Sequence, residues 1–116
     1  MQEIKLPHLA PVKFAKVILE KDNKKAKVLL EFPQVPSLAM LVEGAAQSSA
    51  AFRVNDTENA YLVSLKNIKL LQKPTQNDLS VIVVDEHRLD KMRYVGFEIF
   101  EQEVCVAQGT LVIAVH

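Results

Sequence analysis

From Ala26 to Phe32 the chain alternates: Ala26, Val28, Leu30 and Phe32 share one face at a period of two, the spacing of a half-buried β-strand. The stretch before it, Val12 to Glu20 (VKFAKVILE), is rich in β-branched and aromatic residues. It ends at the polar cluster Lys21-Asp22-Asn23-Lys24, so the two segments predict a hairpin. Pro33 and Pro36 then stop the second strand, because proline has no N–H to give to a sheet. The next segment changes period. Leu38 to Phe52 (LAMLVEGAAQSSAAF) holds helix formers and small residues, with only Glu43 and Gln47 strongly polar, and Ser37 is placed to cap it. A helix over Ser37–Phe52 is predicted. After the polar loop Arg53–Asn59, strand character returns over Ala60–Leu71, Leu79–Asp85, Met92–Glu101 and Val104–Val115. The turn-rich run Lys73–Asp78, the polar run Glu86–Lys91 and the pair Gln102-Glu103 separate them. In the last strand Ala107, Gly109, Leu111, Ile113 and Val115 fall on one face.

A helix this apolar on nearly all sides belongs inside a domain, and it is too short for a membrane. Two strands, a buried helix and four strands have one simple solution: an α+β fold in which a curved antiparallel sheet wraps the helix. Gly44 costs about 1 kcal/mol of helix propensity against alanine, which points to a packing or ligand reason for it. A single copy leaves an edge strand and one end of the helix poorly covered, so pairing with a second copy is expected.

The 116 residues fit one domain, 1–116. Lys plus Arg and Asp plus Glu number 14 each, so no basic surplus suggests a nucleic-acid partner. The lone cysteine, Cys105, excludes an intramolecular disulfide and, lying among valines, reads as a packed thiol. Runs such as Leu111–Val115 are far too short to cross a bilayer, and Met1–Pro11 lacks the apolar core of a signal peptide. A cytoplasmic protein without a membrane partner is expected. The histidines show no ligand spacing, so neither metal nor cofactor is expected.

Four stretches, in order, resemble the hotdog superfamily and within it the β-hydroxyacyl-acyl-carrier-protein dehydratases of the FabZ type. Leu6-Pro7-His8 with Pro11 resembles the family's "LPHRYP", and Phe32-Pro33 with Pro36 its proline-rich approach to the helix. Leu41-Val42-Glu43-Gly44-Ala45-Ala46-Gln47 resembles "LIVEAMAQ", and Lys73-Pro74 through Asn77-Asp78 its "RP…PGD" turn. The resemblance implies an acyl thioester of carrier protein or coenzyme A held in a tunnel at a dimer interface. The helix carboxylate, here Glu43, would work with a histidine from the other subunit. Gln47, Gly44, Phe32 and Pro33 would line the substrate.

The family's histidine precedes the Phe-Pro pair in "GHFPG", where this chain has Glu31, and Gln34 replaces the glycine. Dehydration needs a base for the C2 proton and an acid for the leaving hydroxyl. Three readings follow. The chain is a divergent dehydratase in which His8 or His87 assists Glu43, a non-catalytic acyl-binding or regulatory dimer, or a thioesterase using Glu43 alone. The assembly is a homodimer, a higher assembly of dimers, or a mixed hotdog dimer whose partner supplies the missing group. Against these stand plainer readings. Glu43 pairs with a neighbour, His8 is an architectural hydrogen-bonding group, and His87 sits in a solvated turn. Lys66, Lys69 and Lys73 with Arg53 form a solvated face rather than a rim for an acidic carrier.

Overall fold

The computed structural model describes residues 2–3, 13–52 and 60–115. The hairpin forms as β2 (Ala15–Lys21) and β3 (Lys25–Glu31), preceded by a two-residue β1 (Gln2–Glu3). Asp22 closes the hairpin turn, its Oδ1 accepting from the N–H groups of Lys24 and Lys25 at 2.9 Å each. Helix α1 spans Leu38–Ser48, followed by a 3₁₀ turn over Ser49–Phe52. Then come β4 (Ala60–Leu70), β5 (Asp78–Leu89), β6 (Met92–Glu101) and β7 (Val104–Val115). All pairings are antiparallel, in the order β1-β2-β3-β5-β6-β7-β4. The α+β layout expected from the sequence is therefore present.

Alternation decides which side of the sheet meets the helix. Val28, Leu30, Val81, Val83, Val95, Ile99, Leu111 and Ile113 turn inward and form one cluster with Leu41, Ala45 and Phe52. Removing a fully buried side chain of this set, such as Leu30, costs about 2–5 kcal/mol in comparable cores. Ser37 caps α1 as expected, its Oγ accepting from the Met40 N–H at 3.3 Å.

Three boundaries differ from expectation. The predicted helix Ser37–Phe52 gives up α geometry after Ser48. Ser48 Oγ donates to Gly44 O at 2.8 Å and Ser49 Oγ to Ala46 O at 2.6 Å, and such back-bonding competes with the α ladder as the turn tightens. The polar run Glu86–Lys91 is no loop, because β5 continues through Leu89 and only Asp90-Lys91 turns. Ladder bonding needs backbone rather than apolar side chains, and Asp90 supplies the positive φ of 56° that a tight turn requires. A bulge between Asp85 and His87 brings Arg88 back to Asp85, whose Oδ2 takes Nη2 at 2.7 Å and Nε at 2.9 Å. Third, the first strand begins at Ala15, and Val12 lies outside the described residues.

The turn before β5 hangs on one carboxylate. Glu101 accepts from Thr75 N at 2.6 Å, Thr75 Oγ1 at 3.0 Å and Gln76 N at 2.8 Å. The Thr75 N–H, foremost among these bonds, holds the Glu101 carboxyl below the usual carboxylate range. A folded-state pKa below the unfolded one stabilises the fold above the unfolded carboxylate range, near about 4.3, and that gain fades as pH falls through the folded value. Wild type should therefore melt higher than Glu101→Gln at neutral pH, with the gap closing in acid. A gap unchanged down to strongly acidic pH would contradict this account.

Candidate functional site

Glu43 and Gln47 sit one turn apart on α1, so their side chains share a face. Gln47 is 4% exposed and reaches the start of β2. Its Oε1 accepts from Phe14 N at 2.7 Å and Ala15 N at 3.1 Å. Among the described residues, β1 pairs with Val17 and Ile18 and not with Phe14 or Ala15. Two donors on one side settle the amide's orientation: the oxygen must face β2, and Nε2 must face the helix. There Nε2 donates to Glu43 Oε1 at 3.2 Å.

Glu43 is half-buried beside an apolar wall. A Cβ on Gly44 would come within 3.2 Å of both Leu30 Cδ1 and Phe32 Cζ, so the glycine lets β3 and the Phe32 ring close on the helix. Packing is thus the reason for Gly44 that its poor helix propensity called for. Phe32 is 4% exposed, and its ring lies 4.8 Å from that of Phe14. Pro33 is exposed, and Asn77 ties this segment down by donating from Nδ2 to Phe32 O at 3.2 Å. The arrangement is a carboxylate held on one oxygen by a fixed amide donor, at the margin of an aromatic and aliphatic wall.

The other candidates separate from this group. Glu31 is exposed and has the outward parity of β3, opposite to that of Leu30. His87 lies on strand β5 rather than in the turn expected for it. It is exposed on the outward face with its ring 5.6 Å from that of Tyr94. His8 and Arg53 lie outside the described residues. Lys66 and Lys69 stand exposed on β4, Lys66 Nζ being 5.2 Å from the Tyr94 ring centroid, and Lys73 is exposed beyond the strand. Cys105 is half-buried and its Sγ donates to Ala107 O at 3.4 Å. Burial, and after it the charge of Glu98, pushes its thiol pKa up, as for a packed rather than a nucleophilic cysteine. Among the described residues no group of three or more His, Cys, Asp or Glu could hold a metal ion.

The second feature that bears on function is β4. It is an edge of the sheet, yet Tyr61, Leu62, Val63, Leu65 and Leu70 are between 40% and 57% exposed along it. Leu62 and Leu65 are paired with Ile113 and Leu111, so both have the inward parity that faces the helix. Sequence alternation could mark Ala60–Leu71 as a strand but carried no sign that it would stand at an edge.

No family model matches the chain, and no curated protein matches it in sequence. Solved structures match it in fold over most of its length. The dehydratase heterocomplex ApeI:P from Xenorhabdus doucetiae gives a TM-score of 0.78 at 14% identity, covering 94% of this chain and 86% of that one. A homologue of HP0420 from Helicobacter felis gives 0.75 at 20% identity, covering 98% of each chain. A mutant of the thioesterase PA1618 from Pseudomonas aeruginosa gives 0.68 at 13% identity, covering 84% of this chain and 78% of that one. These neighbours are hotdog-fold proteins, and this chain has the hotdog fold. Identities this low speak for the fold alone. Among the described residues, no helix is long and apolar enough to cross a membrane.

Proposed function

We propose that this chain is a dehydratase-like hotdog protein that binds acyl thioesters of carrier protein or coenzyme A, with Glu43 as its acid/base group. The observation that carries the reading is the pinned geometry of Glu43: Gln47 can only donate to it, so one carboxylate oxygen is held by a fixed amide on the same helix face. In dehydration the carboxylate takes the C2 proton of a 3-hydroxyacyl thioester. The C3–O bond breaks as the C2–C3 double bond forms, and a proton delivered to the leaving hydroxyl completes water. Glu43 returns that proton, or a second group, His8 or one from a partner chain, delivers it.

Thioester hydrolysis is the second reading. Glu31 stands where the dehydratases carry histidine and is exposed on the outward parity. A lone carboxylate activating water would need no such histidine.

The exposed leucines of β4 support a dimer joined along that edge, since a long apolar edge in water invites pairing. A second copy there would also cover Leu62 and Leu65 and close an acyl tunnel. Leu65→Lys should halve the mass found by light scattering, and an unchanged mass would remove β4 from the interface.

The deciding assay is paired: hydration of a crotonyl thioester, and thiol release from a panel of acyl-CoA chains. Hydration establishes the dehydratase reading and thiol release the thioesterase one. With neither reaction, acyl chains co-purifying with the protein would mark a binding protein, and their absence as well would end the acyl reading.

A further inference from the structure

The ladder between β3 and β5 ends at Glu31 and Asp78, one residue short of Phe32. Pro33 follows and has no N–H to give, so the chain leaves the sheet with few backbone handles. Both backbone groups of Phe32 are nevertheless held, and by one residue. Phe32 N donates to Asn77 O at 2.8 Å, and Asn77 Nδ2 donates to Phe32 O at 3.2 Å. In a regular antiparallel pair the return bond comes from the backbone N–H; here the side chain makes it. The turn just before Asn77 is committed elsewhere, with the N–H groups of Thr75 and Gln76 given to Glu101 at the end of β6.

The carbonyl that Asn77 holds belongs to the Phe32–Pro33 peptide, and what hangs from that peptide reaches the site on two sides. The Phe32 ring stands where a Cβ on Gly44, the neighbour of Glu43, would come within 3.2 Å of it. The same ring lies 4.8 Å from that of Phe14. The N–H of Phe14 is bound by Gln47 Oε1, and Gln47 is the residue that donates to Glu43. Asn77 itself is exposed, so replacing it opens no cavity in the core.

We propose that Asn77 is a positioning residue of the Glu43 site. It meets no reacting atom, but it fixes the Phe32–Pro33 peptide and with it the aromatic wall beside Glu43. Its kinetic effect rests on the acyl-thioester reading, in which that wall meets the acyl chain in ground state and transition state alike. Loss of such contact raises KM and leaves kcat nearly unchanged, the reverse of the split expected for Glu43→Gln.

Asn77→Asp is nearly isosteric and can only accept, while Asn77→Ala removes the side chain altogether. Both should raise KM by roughly two- to tenfold, the reach of one hydrogen bond, with kcat changed far less. Amide hydrogen exchange gives a readout that needs no turnover. The N–H groups of Phe14 and Ala15 are bonded to Gln47 and not to Asn77, so a purely local tie would leave them alone. They should exchange several-fold faster in both variants, while Val81 and Val83 in the middle of β5 keep their rates. Unchanged exchange at Phe14 and Ala15 would overturn the proposal whether or not the protein turns over a thioester, and so would a fall in kcat at constant KM. A wild type with no thioester reaction would instead remove the acyl reading, and the exchange rates would then decide the role of Asn77 by themselves.

Discussion

Glu43→Gln should lower the turnover of whichever thioester reaction the wild type performs by about 10²–10⁴-fold, the range that a positioned acid or base contributes. The substitution is nearly isosteric, and a carboxamide oxygen can still accept the Gln47 Nε2 hydrogen. Only proton transfer is lost. Thermal stability should therefore stay close to wild type, and KM should change far less than kcat, since the wall of Leu30 and Phe32 beside Gly44 is untouched. Steady-state kinetics with crotonyl and acyl-CoA thioesters reads both quantities. Wild-type turnover in Glu43→Gln would remove this residue from the chemistry.

Gln47→Leu should damage the fold itself. Two buried N–H groups, those of Phe14 and Ala15, lose their acceptor, and an unsatisfied buried donor costs about 1–3 kcal/mol. The sum, roughly 2–6 kcal/mol, corresponds in a domain of this size to a fall in Tm of roughly 10–25 °C. Gln47→Glu separates the two jobs of the side chain. It keeps an acceptor for both N–H groups but turns the donor facing Glu43 into a second carboxylate. Stability of that variant should improve as pH falls and one carboxylate of the pair takes up a proton. Melting curves of both variants across pH provide the measurement. A Gln47→Leu protein as stable as wild type would mean that water replaces the amide and that Gln47 does not clamp β2 to α1.

Part of the candidate site's geometry was legible because its residues lie close together in one helix. Glu43 and Gln47 were the only strongly polar side chains in an apolar helical stretch, and an i,i+4 pair shares a face whatever the rest of the chain does. The rest of the site could not be read this way. That Gln47 bridges Glu43 to the first residues of β2 depends on a contact across more than thirty residues of sequence, which no local period encodes.

The same division runs through the fold. By itself the sequence determined the strands, the first hairpin, the buried helix and therefore the wrapped-sheet class, because periods of two and of 3.6 residues are properties of local backbone geometry. It also determined the inward set of β7, from Ala107 to Val115. Tertiary structure decided where elements end and stand. His87 to Leu89 remain in a strand because β6 offers them backbone partners, although their side chains suit a turn. β4 became an apolar edge because β7 fills one of its sides and the described chain has no strand for the other. Side-chain period is local, whereas neighbours and register follow from how the whole sheet closes around its helix.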